Sequence, residues 1–256
     1  MTAHLSSRTV LVTGGAKRIG KSYVEELAAD GHRVVIHCNR SRQDADALAE
    51  AVLSSGGQAA VVQADLSDME AVQGLIPAAE QAFGPINLLI NNASLFEEDD
   101  AHSLTLDSWN AHMTANLAAP VFLARDMANR LPKDNDGLVV NMIDQRVWKL
   151  TPQFFSYTLS KSALWSATQT LAQGLAPRVR VVGIGPGPTL QNARQDRSDF
   201  KKQTDTILLQ RGPELSEFAV TIRYLLQARS VTGQMIALDG GQHLAWETPD
   251  VTGIKE

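Results

Sequence analysis

Short apolar runs alternate along the chain with longer stretches in which apolar positions recur every three or four residues. The short runs, at residues 9–13, 34–37, 60–63, 86–91, 138–143, 179–184 and 235–238, predict seven strands. β-Branched runs such as Val34-Val35-Ile36 suit strands covered on both faces. The longer stretches predict helices over 19–30, 44–53, 68–83, 106–131, 155–175 and 214–227, with Gly31 and Gly56-Gly57 as stops. Residues 191–206 are polar and less regular. Strict alternation of strand and helix implies parallel strands joined by right-handed crossovers, with helices on both sheet faces.

That pattern is a doubly wound α/β fold of the Rossmann type, with about seven strands. The 256 residues suffice for one such domain, and no compositional seam divides 1–256. A segment at about 188–212 is expected as a substrate-loop insertion. With 44% hydrophobic and 20% charged residues the composition is that of an ordered globular protein. The net charge of -5 arises without a basic stripe, which argues against nucleic acid. Cys38 is the only cysteine and the six histidines lack ligand spacing, so neither a disulfide nor a metal site is expected. The first apolar run, Val10-Leu11-Val12, is too brief for a leader, and no run approaches the ~20 residues of a membrane helix. The expected location is cytoplasmic, with no membrane partner.

In such folds ligands bind beyond the carboxyl ends of the strands. The first strand runs into Thr13-Gly14-Gly15-Ala16-Lys17-Arg18-Ile19-Gly20 and then a helix. Glycines there let the backbone approach a pyrophosphate, whose charge the helix N-terminus favours. NAD-binding folds usually place an acid at the end of the second strand. This chain has His37-Cys38-Asn39-Arg40-Ser41 instead. Arg40 can fork onto a phosphate, Asn39 and Ser41 can add hydrogen bonds, and Arg18 faces them from the glycine loop. The combination points to the 2′-phosphate of NADPH. Asp65-Leu66 ends the third strand, where an adenine edge can be read, and Asn91-Asn92-Ala93-Ser94 ends the fourth, beside the nicotinamide ribose.

Tyr157 and Lys161 are four apart in a helical segment and so share one face. A phenol is an adequate acid near neutral pH when a cation favours its ionised form. Lys161 is expected to supply that cation and to grip the nicotinamide ribose. Gly185-Pro186-Gly187, with Thr189 shortly beyond, adds a further turn on the cofactor side.

These pieces, with Asn116 and the closing Leu238-Asp239-Gly240-Gly241, resemble the short-chain dehydrogenase/reductase family over nearly the whole length. The resemblance implies hydride transfer from a nicotinamide, with Tyr157 as proton donor, Lys161 lowering its pKa, and Asn116 holding a water in the proton relay. Two departures stand out. The glycine usual in the middle of the loop is Arg18, and the serine that usually partners the tyrosine is replaced by Asp144. A carboxyl can exchange protons with a phenol or a ring nitrogen, which suggests an imine-like substrate. Both departures resemble the pteridine reductase branch, as do 37–41 and Ser94. Phe96 falls where that branch stacks a pterin against the nicotinamide. Asp144, Tyr157 and Phe96 are therefore the expected substrate contacts. A ketone reductase of the same fold and a non-catalytic NADPH-binding regulator are the alternatives. The resemblance also implies a homotetramer assembled through the long helices.

Overall fold

Alternating side chains on the first strand send the core to both sides of a sheet. Val10 and Val12 of β1 (Thr9–Val12) pack into one apolar cluster, and Leu11 into another, all fully buried. The computed structural model describes residues 7–191, 194–248 and 251–253.

Chain order is β1, α1 (Arg18–Ala29), β2 (Arg33–Cys38), α2 (Arg42–Ser54), β3 (Gln58–Gln63), α3 (Met69–Phe83) and β4 (Leu88–Asn91). Then follow α4 (Leu106–Met113), α5 (Ala119–Arg130), β5 (Gly137–Met142), α6 (Phe155–Leu175), β6 (Val179–Pro186), α7 (Arg197–Asp205), α8 (Leu215–Gln227) and β7 (Met235–Leu238). The seven strands form one parallel sheet in the order β3-β2-β1-β4-β5-β6-β7. α1, α2 and α8 cover the face that holds Val10 and Val12, while α3 and α5 cover the other. The order reverses between β1 and β4, so a crevice opens there beyond the strand ends. Among the described residues no helix is long and apolar enough to cross a membrane.

Two elements differ from the sequence pattern. The single helix expected over 106–131 is interrupted by a π-helical turn, Thr114–Ala118, between α4 and α5. Such widened turns carry no signature in apolar spacing and occur often at functional sites. The irregular stretch 191–206 contains α7, started by Asp196, whose side chain accepts from the Asp199 N–H. α7 buries no residue, so it lacked the apolar stripe by which helices are recognised.

A buried polar key joins three elements beneath the crevice. Asn91 of β4 lies in register with Asn141 of β5 and donates to its Oδ1 at 2.8 Å. Asn141 in turn donates to Thr168 Oγ1 of α6 at 2.9 Å. On the opposite face Phe218 of α8 is fully buried edge-to-face against Tyr23 of α1, with centroids 6.1 Å apart. Phe218→Ala is expected to cost about 3–5 kcal/mol through the cavity it leaves. Guanidinium-chloride unfolding checks this as a lower midpoint at unchanged slope.

Candidate active site

The turn after β1 is held from beneath by side chains of two other strands. Gly14 has φ +60°, and its N–H donates to His37 Nδ1 at 3.1 Å. Gly15 N–H donates to the His37 carbonyl at 2.9 Å. Because Nδ1 accepts, the His37 proton sits on Nε2, which faces the Ala64 carbonyl at 3.1 Å. Asn92 Nδ2 donates to the Thr13 and Gly14 carbonyls, and Thr13 Oγ1 accepts from the Asn92 and Ala93 N–H groups. A Cβ on Gly20 would lie 2.2 Å from the Gly14 oxygen, so only glycine fits where α1 meets the turn.

A cavity of about 630 Å³ opens over this turn. It brings together Gly14, Lys17, Arg18, Ile19, Gly20, His37, Asn39, Arg40, Ser41, Asp65, Leu66, Asn92, Ala93 and Ser94. Its volume falls within the usual range for a small-molecule site. Asn39 and Arg40 are exposed at the rim. The Asp65 carboxyl is held below its usual range by the Ser67 N–H and hydroxyl, with further help from Asn39 and Arg40. Lys17 is tied to Asp44 at 2.9 Å.

Arg18 departs from the expected role beside Arg40. Its backbone takes φ +54°, the conformation that glycine adopts without strain. Its guanidinium reaches the other way, donating to the Leu190 and Gln191 carbonyls at 3.1 and 3.0 Å. His37 likewise serves the turn rather than a ligand, because both ring nitrogens already have protein partners.

A second cavity of about 530 Å³ continues from the first, sharing Arg18, Ile19, Asn92 and Ser94. Here lie Phe96, Asp144, Tyr157 and Lys161, together with Pro186, Gly187 and Thr189. Tyr157 donates its hydroxyl to Asp144 Oδ2 at 2.8 Å, and Asp144 Oδ1 accepts from the Arg146 N–H at 2.8 Å. Burial lifts the Asp144 carboxyl above its ordinary value, although Arg146, through its N–H and its charge, and then Tyr157 and Lys161 pull the other way. Burial, and then the Asp144 charge, push the Tyr157 phenol well above 10.

The expectation that Lys161 lowers the tyrosine pKa is corrected here. Lys161 Nζ donates to the Met142 carbonyl at 2.7 Å and lies 5.8 Å from the Tyr157 ring centroid. Desolvation lowers the lysine itself to about 8, against the pull of Asp144. The cation that opposes the rise at Tyr157 is Arg146, and burial and the Asp144 carboxylate outweigh it.

Asn116, in the π turn, is also placed differently from the expected water relay. Its Oδ1 accepts from the Leu95 N–H at 2.8 Å and the Ser94 hydroxyl at 3.3 Å. Its Nδ2 donates to the Leu95 carbonyl at 2.9 Å and Ser160 Oγ at 3.1 Å. All four side-chain positions are taken by protein. Asn116 thus braces the strand end that leads to Phe96 against α6.

Residues without a sequence signal complete the site. Phe154 stacks on Phe96, with centroids 4.2 Å apart and planes 11° apart, and the Tyr157 ring meets Phe96 edge-on at 4.6 Å. Asp99 caps the start of α6, since its Oδ1 accepts from the Ser156 N–H and its carbonyl from the Phe155 N–H. Arg146, two residues beyond Asp144, lines the same cavity, and its nearness to Asp144 in sequence is the one signal that points to it.

The fold and this site define an oxidoreductase of the Rossmann type. The chain belongs to the short chain dehydrogenase family, whose model matches residues 8–202. It is 30% identical over 245 residues to a 3-oxoacyl-[acyl-carrier-protein] reductase of Synechocystis, covering 94% of this chain and 98% of that protein. Crystal structures of FolM alternative dihydrofolate reductase 1 with NADP are more similar. The Brucella canis protein is 59% identical, with a TM-score of 0.95 over 98% of this chain and 100% of that one. The Brucella suis protein is 60% identical, with a TM-score of 0.94 over 97% and 100%.

Burial lowers the His37 pKa to about 4, ahead of the opposing pull of the Ala64 carbonyl and Asp65. Its folded value lies below the ordinary 6.5, so the unfolded chain takes up the proton first. Stability conferred by neutral His37 should therefore be complete above pH 6.5 and decline as pH falls towards 4, by about 3 kcal/mol in all. His37→Asn is expected to be less stable at pH 7 but to lose less on acidification. Urea midpoints between pH 7 and 4.5 check both.

Proposed function

We propose that this protein is an NADPH-dependent reductase acting on a C=N bond of a dihydropterin-like substrate. The observation that carries this reading is the 2.8 Å contact between Tyr157 and a buried Asp144. Support for the cofactor comes from the glycine turn, where a Cβ at Gly20 has no room, and from Asn39, Arg40 and Ser41 on the same cavity wall. The absence of an acid at the end of β2 favours a 2′-phosphate over bare ribose hydroxyls. The FolM relatives, crystallised with NADP, support the same choice.

Bound NADPH supplies a hydride. Gly14, Lys17, Arg18, Ile19 and Gly20 would hold its pyrophosphate, Asp65 and Leu66 its adenine end. Asn92, Ala93, Ser94, Pro186, Gly187 and Thr189 would surround its nicotinamide half. Lys161 spends one of its three N–H donors on Met142 and keeps two for a ribose.

Tyr157 holds the proton to be delivered, and Asp144, once it has taken up a proton from solvent, can pass it on to the phenolate left behind. A phenol lifted by a carboxylate is a poor acid for a ketone oxygen. It serves a ring nitrogen better, because that nitrogen is the stronger base. Phe96 offers an aromatic wall to a flat heterocycle. The 188–212 segment, joined to the glycine turn through Arg18, would close the substrate side. From the family resemblance we also propose a homotetramer built through the long helices and a cytoplasmic location.

A ketone substrate is the second reading, favoured by the acyl-carrier-protein reductase relative. Oxidation of NADPH by 7,8-dihydropterins, beside simple ketones and with NADH as control, separates the two. Dihydropterin turnover with NADPH, and at least about tenfold less with NADH, is expected. Asp144→Ser is expected to lower dihydropterin turnover by about 10²-fold, the size of one general acid–base contribution. Ketone turnover without pterin turnover would overturn the substrate assignment.

The Lys161 ammonium, lowered to about 8 by burial, is charged below that pH and loses its proton above it. Activity that depends on the charged form should therefore decline as pH rises through about 8. The alkaline limb of the kcat/KM profile checks this.

A further inference from the structure

Two arginines flank the stacked pair of Phe96 and Phe154, and their circumstances differ. The Arg194 guanidinium lies 5.1 and 5.3 Å from the two centroids, that of Arg146 5.5 and 5.0 Å. Near-equal distances to both rings put each guanidinium at the edge of the pair rather than over one outer face. Arg194 donates to the Phe96 carbonyl at 2.9 Å and faces Glu97 at 3.6 Å. Arg146 Nη1 is shielded from water and has no hydrogen-bond partner.

A buried donor without an acceptor is costly, and native proteins rarely leave one so. The Asp144 charge attracts the guanidinium, but that carboxylate hydrogen-bonds the Tyr157 hydroxyl and the Arg146 main-chain N–H and leaves Nη1 without an acceptor. Arg146 is nevertheless part of the wall of the 530 Å³ cavity. The charged side chains there are Arg18, Arg146, Lys161 and Arg194 against Glu98 and Asp144, an excess of cations. A planar guanidinium fork matches the two oxygens of a carboxylate or phosphate.

We propose that Arg146 is the substrate-specificity residue of this cavity, receiving an oxyanion carried on the side chain of the substrate. This deepens the dihydropterin reading and rests on it. The flat ring lies towards Phe96 and Tyr157, and the anionic substituent turns to the guanidinium beside the aromatic pair. The preferred substrate is then an anionic dihydropterin rather than a neutral one. The carboxylate that holds Tyr157 also holds the Arg146 main-chain N–H, so the backbone that carries the guanidinium is fixed relative to the proton donor.

The test compares kcat/KM of the NADPH-loaded protein for three probes: dihydrofolate, a dihydropterin with a neutral polyol side chain, and the phosphate ester of that dihydropterin. The wild-type protein is expected to prefer an anionic probe. Arg146→Met should reduce that preference about tenfold to a hundredfold, mainly through KM, and Arg146→Lys should restore part of it. Which anionic probe loses its advantage identifies carboxylate or phosphate as the source. Equal loss on all three probes, or a change confined to NADPH affinity, overturns the proposal.

A protein that reduces none of the three would sink the reductase reading instead. Calorimetric titration of the NADPH-loaded protein with folate, and with pterin lacking the side chain, then decides the role of Arg146. A preference for folate that Arg146→Met abolishes upholds it. The same affinities in both proteins overturn it.

Discussion

A carboxylate taken out of water must find donors, and Asp144 finds two that organise the whole substrate side. One oxygen orients the Tyr157 phenol, and the other fixes the turn that carries Arg146. Because the carboxyl is buried, its proton affinity rises, and because it touches the phenol, the phenol's rises with it. The chemistry available to the site follows from this couple.

The cofactor side depends on a different economy. The glycine turn has few side chains of its own, so its shape is imposed by neighbours from β2 and β4. His37 supports it from one strand, Asn92 from another, and Thr13 closes the arrangement from β1. Neutrality of His37 is part of the geometry, since only an unprotonated Nδ1 can accept from Gly14. The loop's ability to receive an anion thus rests on an uncharged ring beneath it.

The alternation of runs made the seven-stranded sheet legible, because the inner strands are buried on both faces and the covering helices show apolar stripes. Tyr157 and Lys161 were legible because they stand four apart on one helix face, and Asp144 through the family pattern in which it takes the place of a serine. The inverted electrostatics of Tyr157 were not: they hinge on which neighbour is in contact, a carboxylate at 2.8 Å or an ammonium committed to Met142. The stacking of Phe96 on Phe154 and the capping of α6 by Asp99 join segments distant in sequence. α7 has no buried face to write an apolar stripe into the sequence, and one widened turn barely shifts the apolar period.

The Asn91–Asn141–Thr168 key has a mechanical meaning. It couples the strand end leading to Ser94 and Phe96, the strand end leading to Asp144, and the helix that bears Tyr157. A slip of β5 along β4 would break buried hydrogen bonds that no water can replace, so these three parts move as one rigid jig. Spacing among the reacting groups is set below the cleft, by the core. The loops above it can lengthen, shorten or change charge, and so retune what enters, without disturbing the alignment of what reacts.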